Sequence, residues 1–214
     1  MKSKTSQLLF SYWNEVRRDR LAPRRFEIEP SRITPLLAET FILERLDSET
    51  YRFRLAGTRI CEQFDTELRG TNFLDGWSPE DRLTLARQLQ TAAQQGGVSV
   101  VTFDTVSLGT PLASYECVLL PLLHTRDSVD RFLGAMTQIS TEATLIAGDK
   151  RSISRRLGEV EMMWPDGKPH AVVAATNRQT PFLPHVRNAR IVRHDRRQFR
   201  VYEGGLGKPE PKDI

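Results

Sequence analysis

Apolar positions along the chain fall into helical spacing first, then strand alternation. Leu9, Tyr12, Trp13 and Val16 recur three and four residues apart between Gln7 and Asp19, and charges fill the far side from Glu15 to Arg20. That spacing predicts an amphipathic helix, ended by Pro23. Ser31 is placed to cap a short helical turn carrying Ile33, Leu36 and Leu37. Thr40–Leu46 and Tyr51–Ala56 read as strands across the turn Asp47-Ser48-Glu49. In the second, Tyr51, Phe53 and Leu55 alternate with Arg52 and Arg54. Two short helices are expected from Thr58 to about Asp75. Ser78-Pro79-Glu80-Asp81 then opens a longer helix, with a cap, a first-turn proline and acids at the positive end of the dipole. It carries Leu83, Leu85, Ala86, Leu89 and Ala93 and stops at Gly96-Gly97. Three more strands follow, Ser99–Val106, Ala113–Leu122 and Arg131–Gln138, joined as antiparallel hairpins.

These elements predict an α+β fold: a five-stranded antiparallel sheet with short helices on one face and an N-terminal amphipathic helix. The division expected is a helical flank at 1–35, a domain at 36–141 and a largely irregular basic extension at 142–214. Within the extension, Thr144–Leu157 reads as partly helical, Trp164-Pro165-Asp166-Gly167 as a turn and Ala171–Ala175 as a short strand.

Charge separates the extension from the rest. Residues 1–149 carry 17 basic and 20 acidic side chains; residues 150–214 carry 14 and 7. Such a tail can meet nucleic acid, an acidic protein face or an anionic membrane, or simply be a solvated extension. No apolar run reaches the roughly 20 residues that cross a bilayer, and Leu8-Leu9-Phe10 is too short for a signal peptide. A cytoplasmic location is the expectation. Cys61 and Cys117, the only cysteines, form no CxxC pair and read as reduced core side chains.

The order and spacing of several short segments carry a family resemblance. They are Tyr12-Trp13 with Arg17, Ala22-Pro23-Arg24-Arg25, Tyr51-Arg52-Phe53-Arg54-Leu55-Ala56-Gly57-Thr58, Glu67-Leu68-Arg69-Gly70, Glu116-Cys117-Val118-Leu119-Leu120-Pro121-Leu122 and Leu133-Gly134. Over about residues 7 to 140 the chain resembles the small single-PAS proteins of alphaproteobacteria. The resemblance implies a PAS-like fold and a sensory or regulatory role rather than a reaction. It also implies a cavity between the sheet and the central helices. The lining would come from Cys61, Phe64, Phe73, Leu74, Trp77, Leu85, Leu89, Phe103, Tyr115, Leu119 and Met136. Such a set suits a small apolar ligand, and the same side chains could equally fill the space themselves.

No cofactor is identified. Gly70-Thr71-Asn72-Phe73-Leu74 lacks the cysteine that flavin adduct chemistry requires in PAS relatives, and the helix from Pro79 to Gln95 lacks a histidine for haem. His124 sits at a hairpin end, and His170, His185 and His194 lack metal-ligand spacing. No nucleophile elbow, P-loop or dinucleotide fingerprint occurs. Glu116 lies among apolar neighbours, so burial would require a partner, with Arg52 or Arg54 the candidates. Arg193-His194-Asp195-Arg196-Arg197-Gln198-Phe199-Arg200 could contact phosphates, but no DNA-reading element accompanies it.

The reading is therefore a non-enzymatic sensor that binds a small ligand or a partner and signals to a separate protein. A nucleic-acid-associated regulator acting through the basic tail is the alternative. The apolar stripe of α-helical residues Leu9, Tyr12, Trp13 and Val16 needs a cover, from its own domain or a second copy. A homodimer through those four residues is expected.

Overall fold

The computed structural model describes residues 1–107, 109–125, 127–141 and 153–170. Helix α1 (Lys4–Arg17) begins at Ser3, whose hydroxyl accepts from the Thr5 and Ser6 amides. A 3-10 segment, Pro30–Glu39, leads into strands β1 (Thr40–Arg45) and β2 (Tyr51–Ala56). Helices α2 (Thr58–Phe64) and α3 (Pro79–Gln95) come next. As the sequence predicts, Ser78 caps α3, accepting from the Asp81 amide, and Gly96 ends it in the left-handed conformation at φ +70°. Strands β3 (Val98–Ser107), β4 (Thr110–Leu123), β5 (Val129–Thr141) and β6 (Ile153–Met163) complete one sheet.

The sheet has six strands, ordered β2-β1-β5-β4-β3-β6, with every neighbouring pair antiparallel. The α+β architecture is the one expected, with one strand more. Ile153–Leu157, read from sequence as helical, is extended and opens β6, which pairs along β3 from Val98↔Met163 to Ser107↔Ile153. The span from Thr58 to Asp75 holds one helix rather than two. After Phe64 the chain turns repeatedly, and Leu68, Phe73 and Leu74 are buried without helical support. The turn at Trp164–Gly167 is present, closed by the Gly167 amide on the Trp164 carbonyl. The expected strand at 171–175 lies outside the described residues.

Both faces of the sheet are covered. Tyr115 and Cys117 point to one side of β4, and Phe64 of α2 packs against Tyr115 there. Glu116 points to the other side and meets the start of α1. Along that second face Trp13 donates its indole N–H to the Pro121 carbonyl at 2.9 Å, and the Tyr12 hydroxyl accepts from the Glu29 amide at 2.7 Å. Leu9 and Trp13 are fully buried and Tyr12 nearly so, with Val16 packed beside them. The apolar stripe is thus used within the chain. Leu9, Tyr12 and Trp13 are not available as a docking patch for a second copy, because the chain's own sheet supplies their cover.

Glu116 is 1% exposed, and its partners differ from those expected. Its carboxylate accepts from the main-chain amides of Lys2 and Ser3, the latter at 3.0 Å. Arg52 and Arg54 pair instead with Glu44, which Arg131 also reaches. Strand order explains the exchange. Glu44 on β1 lies directly opposite Arg52 on β2, whereas β4 is three strands away, about 14 Å at the usual strand spacing.

The far end of α1 is held as firmly. Arg17, 2% exposed, makes a two-point ion pair with Asp166 at 2.7 and 3.0 Å, and also donates to the Arg20 carbonyl. His170 bonds Asp166 at 3.1 Å, and its amide donates to the Gln95 carbonyl. One helix therefore ties the N-terminus to the segment after β6.

Candidate functional site

The face bearing Tyr115 and Cys117 carries the aromatic residues singled out from sequence. β3 and β4 pair Phe103 with Tyr115, which stacks their rings 5.1 Å apart, nearly parallel. Phe64 from α2 extends the row, 5.5 Å from Tyr115. In the other direction Trp77 meets Phe103 edge-on at 5.1 Å, and Phe73 lies 6.2 Å from Trp77. Phe73 continues into Phe41 and Phe53 on the first two strands. Offset and edge-to-face contacts of this kind add to the energy of simple burial.

Turn chemistry fixes the two rings that come from the connection between α2 and α3. Trp77 donates its indole N–H to the Phe73 carbonyl at 2.9 Å. The Phe73 amide donates to Tyr51 and the Gly70 amide to Phe53, so the connection is laced to the open edge of β2. The Asn72 carboxamide oxygen accepts from the Tyr51 amide. The aromatic turn is thus held by the sheet despite having no helix of its own.

Of the lining residues expected, Phe73, Leu74, Trp77, Leu85, Leu89, Phe103, Tyr115, Leu119 and Met136 belong to one continuous core. Cys61 and Phe64 are partly buried at its margin. Below Gly134 the core is closed by the Phe41 ring, which occupies the space a side chain would need. Burial raises the Tyr115 phenol and pushes the Cys117 thiol far up, so neither is a ready nucleophile.

One residue of the cluster escaped the sequence reading. Arg155 on β6 lies across the margin of the row, its guanidinium carbon 4.7 Å from the Phe64 ring centre and 5.6 Å from that of Trp77. Its neighbour Arg156 faces the other side and pairs with Asp104 at 2.9 Å. The signal available was the alternation across Ser154, Arg155, Arg156 and Leu157, which four charged residues between Ile153 and Met163 mask. No group of three or more His, Cys, Asp or Glu side chains among the described residues could hold a metal ion. No helix among them is long and apolar enough to cross a membrane.

A family model described as a PAS domain matches residues 1–137. Comparison with curated proteins found no match.

Proposed function

The chain belongs to the PAS domain family, and on that premise we propose that it is a non-enzymatic sensor whose ligand site is the aromatic row between the sheet and α2/α3. PAS domains serve sensory and regulatory roles in general. The observation that favours ligand binding is the row itself. Seven rings run from Phe64 to Phe41 and Phe53 across the sheet face, and the turn-rich connection carrying Phe73 and Trp77 forms part of the wall. A wall held by a few turn hydrogen bonds opens more readily than a packed helix, because fewer contacts break when it moves. Occupancy of the row shifts that connection and, through its bonds to Tyr51 and Phe53, the β2 edge. The signal then passes to a separate partner protein.

The test is native mass spectrometry of the full chain purified without denaturation, together with a thermal-shift screen against a metabolite library. A retained small molecule, or a compound that raises the melting temperature and is silenced by Phe103→Ala, is the expected result. A bare polypeptide mass with no stabilising compound across the library would refute the ligand site.

A further inference from the structure

The ligand class follows from Arg155, the cation that lies over two rings of the aromatic row. A guanidinium carries five N–H donors and keeps its charge in proteins. Among the described residues Arg155 makes a single hydrogen bond, from Nη1 to the Asp75 carbonyl at 3.3 Å, and no ion pair. The carboxylates of Asp75 and Asp81 are already engaged. The Asp75 carboxylate is taken by Arg82 at 3.1 Å, and the Asp81 carboxylate accepts from the Leu157 amide. Arg17, Arg52, Arg54, Arg82, Arg131 and Arg156 each have a carboxylate partner. Arg155 has two ring faces instead.

Ring faces attract a cation without using its N–H groups. Apart from the one bond to Asp75, the donors of Arg155 therefore remain free on a partly buried side chain whose flat face rests on Phe64 and Trp77. It also lies close enough to Tyr115 and Cys117 for its charge to act on both groups. A planar fork with free donors matches the two oxygens of a carboxylate. One unpaired positive charge suits a monoanion better than a phosphate dianion, which would need further cations. Phe64, only partly buried at the margin of the core, offers an apolar edge to an aryl body.

We propose that Arg155 is the anion-binding residue of this site and that the ligand is an aromatic carboxylic acid. The carboxylate bridges the guanidinium donors and the aryl group packs against the partly buried edge of Phe64. The inference rests on the ligand-site reading above. It also places a determinant of specificity on β6, beyond the residues that the family model matches.

The experiment is isothermal titration of the full chain with 2-naphthoate and its neutral counterpart 2-naphthamide, on the wild type, Arg155→Met and Arg155→Lys. The acid should bind the wild type at least about tenfold more tightly than the amide, the margin of a charge-assisted pair over a neutral one. Arg155→Met should erase that preference, and Arg155→Lys should keep part of it, since it retains charge but not the fork. Equal affinity of acid and amide for the wild type overturns the role of Arg155 and leaves the ligand site standing. Binding of neither overturns the aromatic-acid assignment, while the ligand site itself stands or falls by the mass-spectrometric and library test above. Thermal melting of each variant reports on folding, and the wild-type comparison alone decides the matter if Arg155→Met does not fold.

Discussion

Replacing Glu116 with alanine removes the acceptor that joins the start of α1 to the middle of the sheet. Two main-chain amides, Lys2 and Ser3, lose their partner at once. Leaving a buried donor unsatisfied costs about 1–3 kcal/mol. Ser3 is buried and Lys2 partly exposed, so the expected loss is about 3 kcal/mol rather than the full sum for two amides. For a chain of this size each kcal/mol moves the melting temperature by about 2–4 °C, which places the Glu116→Ala midpoint about 6–12 °C below wild type. Glu116→Gln keeps one acceptor oxygen and loses the charge that favours a helix N-terminus, so it should fall about halfway between. The assay is urea denaturation with hydrogen exchange on Thr5–Leu9, whose amides should lose protection in the alanine variant. A version lacking residues 1–3 separates this cause from simple damage to β4. In it, Glu116→Ala should become neutral or stabilising, because the carboxylate is then buried with nothing to accept from. A loss below about 0.5 kcal/mol in the full chain, the level of an ordinary surface change, or an equal loss in both chains, would refute the latch.

Three further outcomes follow from other contacts. Gly57→Ala should destabilise by about 3 kcal/mol in urea melts, because the added Cβ meets the main-chain oxygens of Leu37 and Ala38, which cannot rotate away. Trp13→Phe should lower stability by about 1–2 kcal/mol in the same assay, through loss of the indole bond to the Pro121 carbonyl and of packing volume. Arg17 holds the Asp166 carboxyl below its usual range, chiefly by hydrogen bonding. The folded chain therefore binds this proton more weakly than the unfolded one. Its contribution is fully present above about pH 4 and is lost as pH falls through the depressed folded value. Melting temperatures between pH 7 and pH 3 should drop less steeply in Asp166→Asn than in wild type, from a lower starting point.

What the sequence made legible is the part written by local alternation and turn residues. β2 is found to the residue at Tyr51–Ala56, and α3 from its cap to its glycine stop, since each signal is contained in the element itself. β6 is hidden because an edge strand needs only one apolar face, and charges on the other are what keep such an edge from pairing with another chain. Arg155, Arg156, Glu159 and Glu161 therefore look like a solvated stretch rather than a strand. The turn-rich segment after Phe64 is misread for the opposite reason. Its apolar residues mimic helical spacing, but their burial is arranged by hydrogen bonds to β2 that no local pattern records. The partners of Glu116 depend on strand order, which brings residues 113 and more positions apart into contact. The core residues of the candidate site are legible as apolar positions; the cation beside them is not, because it arrives from the far side of the sheet order.

The position of β6 bears on any effort to trim the protein to its recognised module. A cut after residue 137 would fall inside β5 and discard the strand that shields β3. The main-chain groups of Val98–Ser107 would be left as a long, greasy, unguarded border, an invitation for identical fragments to zip together. A usable minimal piece has to run on at least through Gly167, so that the shielding strand and the Asp166 anchor for α1 travel with it.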